Sequence, residues 1–273
     1  MNRLSLILLS LTLVVACGGG AKPKVKPQQG LIRGTPEFTV NEGIVLLNEG
    51  KYDEAEQKLA RAVKEAPALT KGHSALGIVY TAKRNFPQAI EQFQIVLRQA
   101  PQFYDAYNYL GMVYSEMGDY NRAKENLLIA ASSAEYLTPE NSYANLGLLE
   151  IKFKKYESAL RYADKGLAFS KRFPPLHYVR GLALKQLGKL PEAIDSLEQA
   201  WALQPVIATD INVAIDLARL YYQLGDKNKA LDMLESSLGK TTAPPTRARV
   251  LQLIREIDGM AEQESQTTPK EGS

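Results

Sequence analysis

Small residues recur along the chain at fixed intervals, and this recurrence restricts the folds that the sequence can adopt. Six repeats begin at residues 36, 70, 104, 140, 174 and 211. Their eighth and twentieth positions hold only glycine or alanine, namely Gly43, Gly77, Gly111, Gly147, Gly181 and Ala218, then Ala55, Ala89, Ala123, Ala159, Ala193 and Ala230. Because side chains this small let two helices touch nearly backbone to backbone, the sequence predicts pairs of tightly packed helices.

The spacing of the repeats indicates which kind of helix pair to expect. The first three starts are 34 residues apart, which is the period of the tetratricopeptide pattern, and residues 107–130 follow that pattern most fully. The sequence therefore predicts an all-α fold, a right-handed superhelical solenoid of six tetratricopeptide repeats over residues 36–243. The junctions at 131–139 and 206–210 are longer than this period requires and are expected to change the local superhelix.

The region after the repeats has a different pattern. Residues 244–260 carry Val250, Leu251, Ile254 and Ile257 at helical spacing, and they are predicted to form a helix that caps the last repeat. Residues 261–273 are polar and are predicted to form a disordered tail.

Residues 1–16 have the features of a bacterial signal peptide. Arg3 precedes an apolar run from Leu4 to Val15, which is shorter than the roughly 18 residues needed to cross a bilayer. The run ends in Val14-Val15-Ala16-Cys17, which resembles the lipobox of bacterial lipoproteins. That resemblance implies that Cys17 becomes the N-terminal residue and carries fatty acyl chains such as palmitate. The alternative is an ordinary signal peptide whose cysteine is incidental.

The residues that follow the lipobox bear on location. Cys17 is the only cysteine, so a disulfide framework is excluded. Gly18 comes next, instead of the aspartate that resembles an inner-membrane retention signal, and this indicates the outer membrane. Residues 17–35 are rich in glycine, proline and lysine and lack an apolar period. They are predicted to be a flexible tether that holds the repeats in the periplasm.

The sequence shows no recognisable arrangement of catalytic or metal-binding residues. Its two histidines, His73 and His177, both occupy position 4 of a repeat, where Tyr107 and Tyr143 occur in others, so they are expected to pack like aromatic residues. Neither is accompanied by a cysteine or an acidic cluster. With a net charge of +3 and no dense basic face, the chain is not expected to bind nucleic acid. We therefore predict a protein that is not an enzyme and needs no metal or cofactor.

Large apolar residues occupy the positions that line the groove of a tetratricopeptide array. Position 9 is apolar in five successive repeats before it changes to Arg219, and positions 5 and 12 add further apolar residues. The predicted groove residues are Val40, Ile44, Leu47, Ile78, Met112, Leu148, Ile151, Tyr178, Leu182, Ile215 and Tyr222. Such a surface marks an interaction site, and an amphipathic helix or apolar strand of a partner protein is the expected guest. The alternative is that position 9 simply packs between neighbouring helices.

Two junctions carry a more specific resemblance. A lengthened third repeat precedes residues 143–148, Tyr-Ala-Asn-Leu-Gly-Leu, and Arg172-Phe173-Pro174-Pro175 follows at the next junction. Together with the lipobox, the tether and the six repeats, these features resemble the pilotins of type IV pilus systems, of the Tgl, PilF and PilW type.

The resemblance implies a function without catalysis. A pilotin of this type brings secretin subunits to the outer membrane and promotes their assembly into a stable ring, so secretin subunits are the expected partner. The lipid would supply location, and the groove would shield apolar secretin surface until the ring inserts. The alternative is a scaffold lipoprotein of another envelope machine, such as β-barrel assembly or activation of peptidoglycan synthases.

Overall fold

The structure is a computed structural model that describes residues 33–203, 211–239 and 244–267. The predicted signal peptide, Cys17, the tether up to residue 32 and the junction at 206–210 lie outside the described residues. Within the described ranges the chain forms thirteen α-helices and no β-strand. The prediction of an all-helical fold is therefore confirmed.

The chain divides into two compact units, with the division between Met117 and Gly118. The first unit contains α1 (Pro36–Asn48), α2 (Tyr52–Glu65), α3 (Thr70–Ala82), α4 (Phe86–Gln99) and α5 (Tyr104–Met117). The second unit contains α6 (Tyr120–Ser132), α7 (Pro139–Lys152), α8 (Tyr156–Phe169), α9 (Pro174–Gln186), α10 (Leu190–Ala202), α11 (Ile211–Gln223), α12 (Lys227–Leu238) and α13 (Pro244–Thr267). In each unit, every helix packs against the helix that follows it.

The helices start where the repeats start, with one small difference. The first helices of the predicted repeats begin at Pro36, Thr70, Tyr104, Pro139, Pro174 and Ile211, so only the fourth is displaced, by one residue. Proline suits the first turn of a helix because its φ is already helical and its missing N–H has no partner there. The sequence pattern and the local backbone chemistry thus set the same boundaries.

The small residues at position 8 face the second helix of their pair. A Cβ atom at Gly77 would lie 2.8 Å from Cε1 of Phe93, and one at Gly181 would lie 2.6 Å from Cγ of Leu197. Phe93 and Leu197 are fully buried. Because real Cβ contacts are not this short, the close approach of α3 to α4 and of α9 to α10 depends on glycine.

The fourth repeat fills the same space from a different helix. Its position 24 holds Ala163 in place of a large residue, and a Cβ atom at Gly147 would instead lie 2.5 Å from Cγ1 of Val179. Val179 belongs to α9, the first helix of the next pair. Val179 therefore packs against α7 at this point, and α7 contacts both α8 and α9.

The turn inside each helix pair contains one residue with a left-handed backbone. Position 15 is glycine in four repeats, and these glycines have φ values between 76° and 84°. In the other two repeats the same conformation is held by Arg84, with φ of 58°, and by Lys154, with φ of 56°. A side chain in this conformation costs free energy that glycine does not pay, so these two turns are strained.

The helix after the sixth pair is longer than predicted. Val250 and Ile257 are buried in the apolar cluster that α11 and α12 form, together with Leu253. Leu251, which belongs to the same apolar pattern, is instead 41% exposed. The helix ends at Thr267 rather than at residue 260. The tail predicted for 261–273 is therefore helical over its first part, and residues 268–273 lie outside the described residues.

Candidate partner-binding surface

The apolar side chains at position 9 are half-buried. Ile44, Ile78 and Met112 lie on α1, α3 and α5 of the first unit, and Leu148 and Leu182 lie on α7 and α9 of the second. Position 8 faces the second helix of its pair, and the next residue of a helix is rotated by about 100° from it. Position 9 therefore falls at the edge of the helix contact, where one side of each chain packs and the other remains accessible.

Two of the predicted groove residues do not contribute an accessible surface. Val40 and Ile215 are each 2% exposed and belong to the apolar cores of their units. Both occupy position 5, three residues before position 8 and on the same face of the helix, so a neighbouring helix covers them. Val40 lies against α3, where a Cβ atom at Gly72 would come within 3.1 Å of its Cγ2. The prediction that these two residues line the groove is corrected accordingly.

The remaining predicted residues lie between core and solvent. Leu47, Ile151 and Tyr222 at position 12 are half-buried, and so is Tyr178 at position 5. They pack against the buried apolar clusters of their units, as Ile44 and Leu148 do. The first helices of each unit thus offer narrow apolar strips, which suit contact with an apolar side chain of a partner better than enclosure of a small molecule.

A polar group interrupts the apolar surface between α9 and α11. The carboxylate of Asp216 accepts hydrogen bonds from the hydroxyl of Tyr178 and from Nζ of Lys185, both at 3.1 Å. The side chains of Lys185 and Asp216 are only 22% and 16% exposed. Neither Lys185 nor Asp216 was predicted from the sequence, although Lys185 at position 12 of the fifth repeat and Asp216 at position 6 of the sixth were visible polar residues. At position 9 of α11 the exposed Arg219 continues this polar character.

A small cavity lies between α11 and the last helix. Its volume is about 180 Å³, and its lining residues are Ile215, Arg219, Arg249, Gln252, Leu253 and Glu256. Nη1 of Arg249 donates a hydrogen bond to Asn212, and Nε2 of Gln252 donates one to Glu256. The side chains of Arg249, Gln252 and Glu256 thus already bond to neighbouring side chains.

Neither histidine is arranged for catalysis or metal binding. His73 is buried between Oε1 of Gln92, 2.7 Å from its Nδ1, and the carbonyl of Pro67, 3.0 Å from its Nε2. Nε2 of His177 lies 2.9 Å from the carbonyl of Lys171. Both rings therefore connect a first helix to the end of the preceding repeat. Among the residues that the structure describes, no group of three or more histidine, cysteine or acidic side chains could hold a metal ion.

Over the described part of the chain, no helix combines the length and the apolar character needed to cross a bilayer.

Comparison with known families identifies the repeats. Residues 93–125 and residues 184–254 each match a family model described as tetratricopeptide repeat. The chain contains tetratricopeptide repeats. Arrays of this kind generally bind proteins, which agrees with a surface of narrow apolar strips. No curated protein sequence matches the chain.

Solved structures with the same fold include PilF and PilW. PilF of Pseudomonas aeruginosa has a TM-score of 0.64 at 18% identity, and the match covers 80% of this chain and 96% of that one. PilW, described as a widely conserved type IV pilus biogenesis factor, has a TM-score of 0.65 at 16% identity, covering 79% and 98%.

A third solved structure shows how general the fold is. Cut9, from the APC/C heterotetramer Cut9–Hcn1, has a TM-score of 0.69 at 20% identity, but the match covers only 43% of that chain against 82% of this one. Identities this low show the fold alone. The predicted tetratricopeptide solenoid is therefore confirmed, and the resemblance to PilF and PilW is confirmed at the level of the fold.

Proposed function

We propose that this protein is an outer-membrane lipoprotein that binds secretin subunits and promotes their assembly in type IV pilus biogenesis. The observation that carries the proposal is the extent of the structural match. The match covers 96% of PilF and 98% of PilW. The length of the helical array, as well as its fold, supports this comparison.

The half-buried apolar residues supply a means of binding. Ile44, Ile78 and Met112 in the first unit, and Leu148 and Leu182 in the second, each present one side to solvent while the other side packs. An amphipathic segment of a secretin subunit would bury these strips and its own apolar face together. Such cover keeps an insertion-competent subunit from aggregating before the ring forms.

Lipidation at Cys17 supplies the location in this proposal. Each methylene buried in a bilayer contributes about 0.8 kcal/mol, and a single acyl chain holds only marginally, so stable attachment needs two signals. A cysteine processed at the lipobox carries more than one acyl chain. The repeats would then act within a tether's reach of the outer membrane.

Co-purification from solubilised membranes tests the proposal. The acylated protein, isolated with a C-terminal affinity tag under mild detergent, is expected to bring secretin subunits with it. A secretin-free complex that instead contains β-barrel assembly proteins or a peptidoglycan synthase would favour the alternative scaffold function. Untagged protein expressed at the same level is the control for adventitious capture.

A further inference from the structure

The turn between α7 and α8 carries three lysines around an exposed aromatic ring. The segment is Lys152-Phe153-Lys154-Lys155, and all four residues are exposed. None of the three lysines forms an ion pair with a described residue. Three positive charges therefore face solvent within four residues of chain.

Cations in the corresponding turns of the first two repeats are neutralised. Lys51 pairs with Glu49 at 2.9 Å. Lys83 pairs with both Asp53 and Glu56 at 2.6 Å, and this raises its pKa above the ordinary value. Exposed lysines are common on protein surfaces, but the fourth repeat differs because its turn concentrates them without a carboxylate.

The local backbone gives no reason for a lysine at position 154. Lys154 has the left-handed conformation that glycine provides in four other repeats. Lys155 is the N-cap of α8 and makes no side-chain hydrogen bond to the helix, and lysine occupies the same position in α2, as Lys51, and in α10, as Lys189. Residues that break local preferences without a structural gain are expected at functional sites.

The aromatic ring of the turn is held in place. Phe153 is 45% exposed and meets the ring of Tyr120 edge-on, with the centroids 4.9 Å apart. Nζ of Lys152 lies 4.6 Å from the centroid of the same tyrosine ring. An apolar ring is thus fixed at the surface within the turn that carries the three lysines.

We propose that this turn binds the surface of an anionic lipid bilayer. The lysines attract the phosphate groups of the lipids, and Phe153 enters the boundary between headgroups and acyl chains. An acidic protein segment would also satisfy the lysines, but an exposed phenylalanine between cations matches the layered polarity of a membrane interface. The proposal adds a membrane contact to the predicted lipid anchor and does not depend on secretin as the partner.

Vesicle co-sedimentation tests this contact. The protein is the full chain with Cys17→Ala, which removes the predicted acylation site, and the vesicles are phosphatidylcholine with or without phosphatidylglycerol. The apolar run at the N-terminus contributes to the binding of both kinds of vesicle, and every variant contains the same basic tether. The readout is therefore the change in phosphatidylglycerol-dependent binding between variants.

Replacing Lys152, Lys154 and Lys155 together by glutamine is expected to weaken this binding on the order of a hundredfold. Each lysine then contributes about tenfold or less to the affinity for the vesicles. The matched control replaces three exposed lysines elsewhere, Lys64→Gln, Lys165→Gln and Lys189→Gln, and removes the same total charge. Phe153→Ser is expected to weaken the binding that remains at high salt. Circular dichroism verifies that every variant is folded.

Two results would overturn the proposal. Equal losses in the two triple variants would show that the vesicles sense only net charge. Unchanged binding of the turn variant would leave an acidic protein segment as the ligand of these lysines.

Discussion

The ammonium of Lys124 on α6 lies 2.5 Å from the carboxylate of Glu150 on α7, whose side chain is 4% exposed. The hydrogen bond to Glu150 raises the pKa of Lys124 above its ordinary value, and burial opposes that increase. Glu150 occupies position 11, where other repeats have leucine or tyrosine, and the junction between the fourth and fifth repeats has the apolar residues Leu160 and Leu184 at the two equivalent places. A buried carboxylate therefore depends on one half-exposed cation.

This dependence predicts an asymmetric response to mutation. Lys124→Ile leaves the buried carboxylate unpaired and is expected to lower the free energy of unfolding by about 2 to 4 kcal/mol, the lower part of the range for buried pairs because Lys124 is partly exposed. The double variant Lys124→Ile, Glu150→Leu makes both places apolar, as Leu160 and Leu184 are at the next junction, and is expected to recover most of that loss. Urea unfolding measures both variants. Equal stability of the single and double variants would mean that the pair does not hold α6 to α7.

The glycine contacts predict that the effect of a glycine-to-alanine substitution on stability depends on where the glycine lies. Gly181→Ala places a methyl group 2.6 Å from Leu197 and is expected to destabilise the protein by about 1 to 3 kcal/mol. Gly259 lies in helix α13, and a Cβ atom there would have no neighbour within 4 Å, so Gly259→Ala is expected to be neutral or to stabilise by up to about 1 kcal/mol. Thermal unfolding compares the two. A similar effect of both substitutions would contradict the close approach of α9 to α10.

The left-handed backbone at Lys154 predicts that one substitution will raise the stability of the protein and weaken its binding to vesicles. Lys154→Gly relieves the left-handed conformation at φ of 56° and is expected to stabilise the protein by roughly 1 kcal/mol. The same variant is expected to bind phosphatidylglycerol vesicles less tightly than the starting protein. Lys189→Gln, in the turn of the fifth repeat, provides the charge-matched control for vesicle binding. A loss of stability in Lys154→Gly would show that the side chain has a structural role.

Helix α5 carries two methionines that separate binding from folding. Met112 is half-buried at position 9, whereas Met117 at the end of the same helix is 46% exposed. Met112→Asp is expected to reduce secretin capture by about tenfold or more, and Met117→Asp is expected to leave it nearly unchanged. Capture on immobilised protein measures the difference, with circular dichroism as the folding control. Loss of helical signal in Met112→Asp would assign this side chain to the core.

The helix pairs could be predicted from the sequence because residues with one side-chain carbon or none at positions 8 and 20 leave few alternatives. Gly77 against Phe93 and Gly181 against Leu197 are contacts within one pair, where the register follows from a short turn. The boundaries of the first helices agree for the same reason, since glycine or proline marks most of the turns.

The surface could not be predicted with the same accuracy. Whether Val40 is buried depends on how closely α3 approaches α1, and the burial of Leu253 in place of Leu251 depends on how α13 is rotated. The pairing of Lys124 with Glu150 depends on the relative stagger of two helices. Such distances between elements are set by the sum of many contacts and leave no local pattern in the sequence.

The state of the secretin in a strain without this protein tests the proposed function most directly. Detergent-resistant secretin multimers are measured in membranes of the deletion strain and after complementation with the wild-type chain or with Cys17→Ala. The proposed function predicts that multimers disappear while secretin monomers remain, that the wild-type chain restores them, and that Cys17→Ala restores them only in part. Normal multimers in the deletion strain would contradict it.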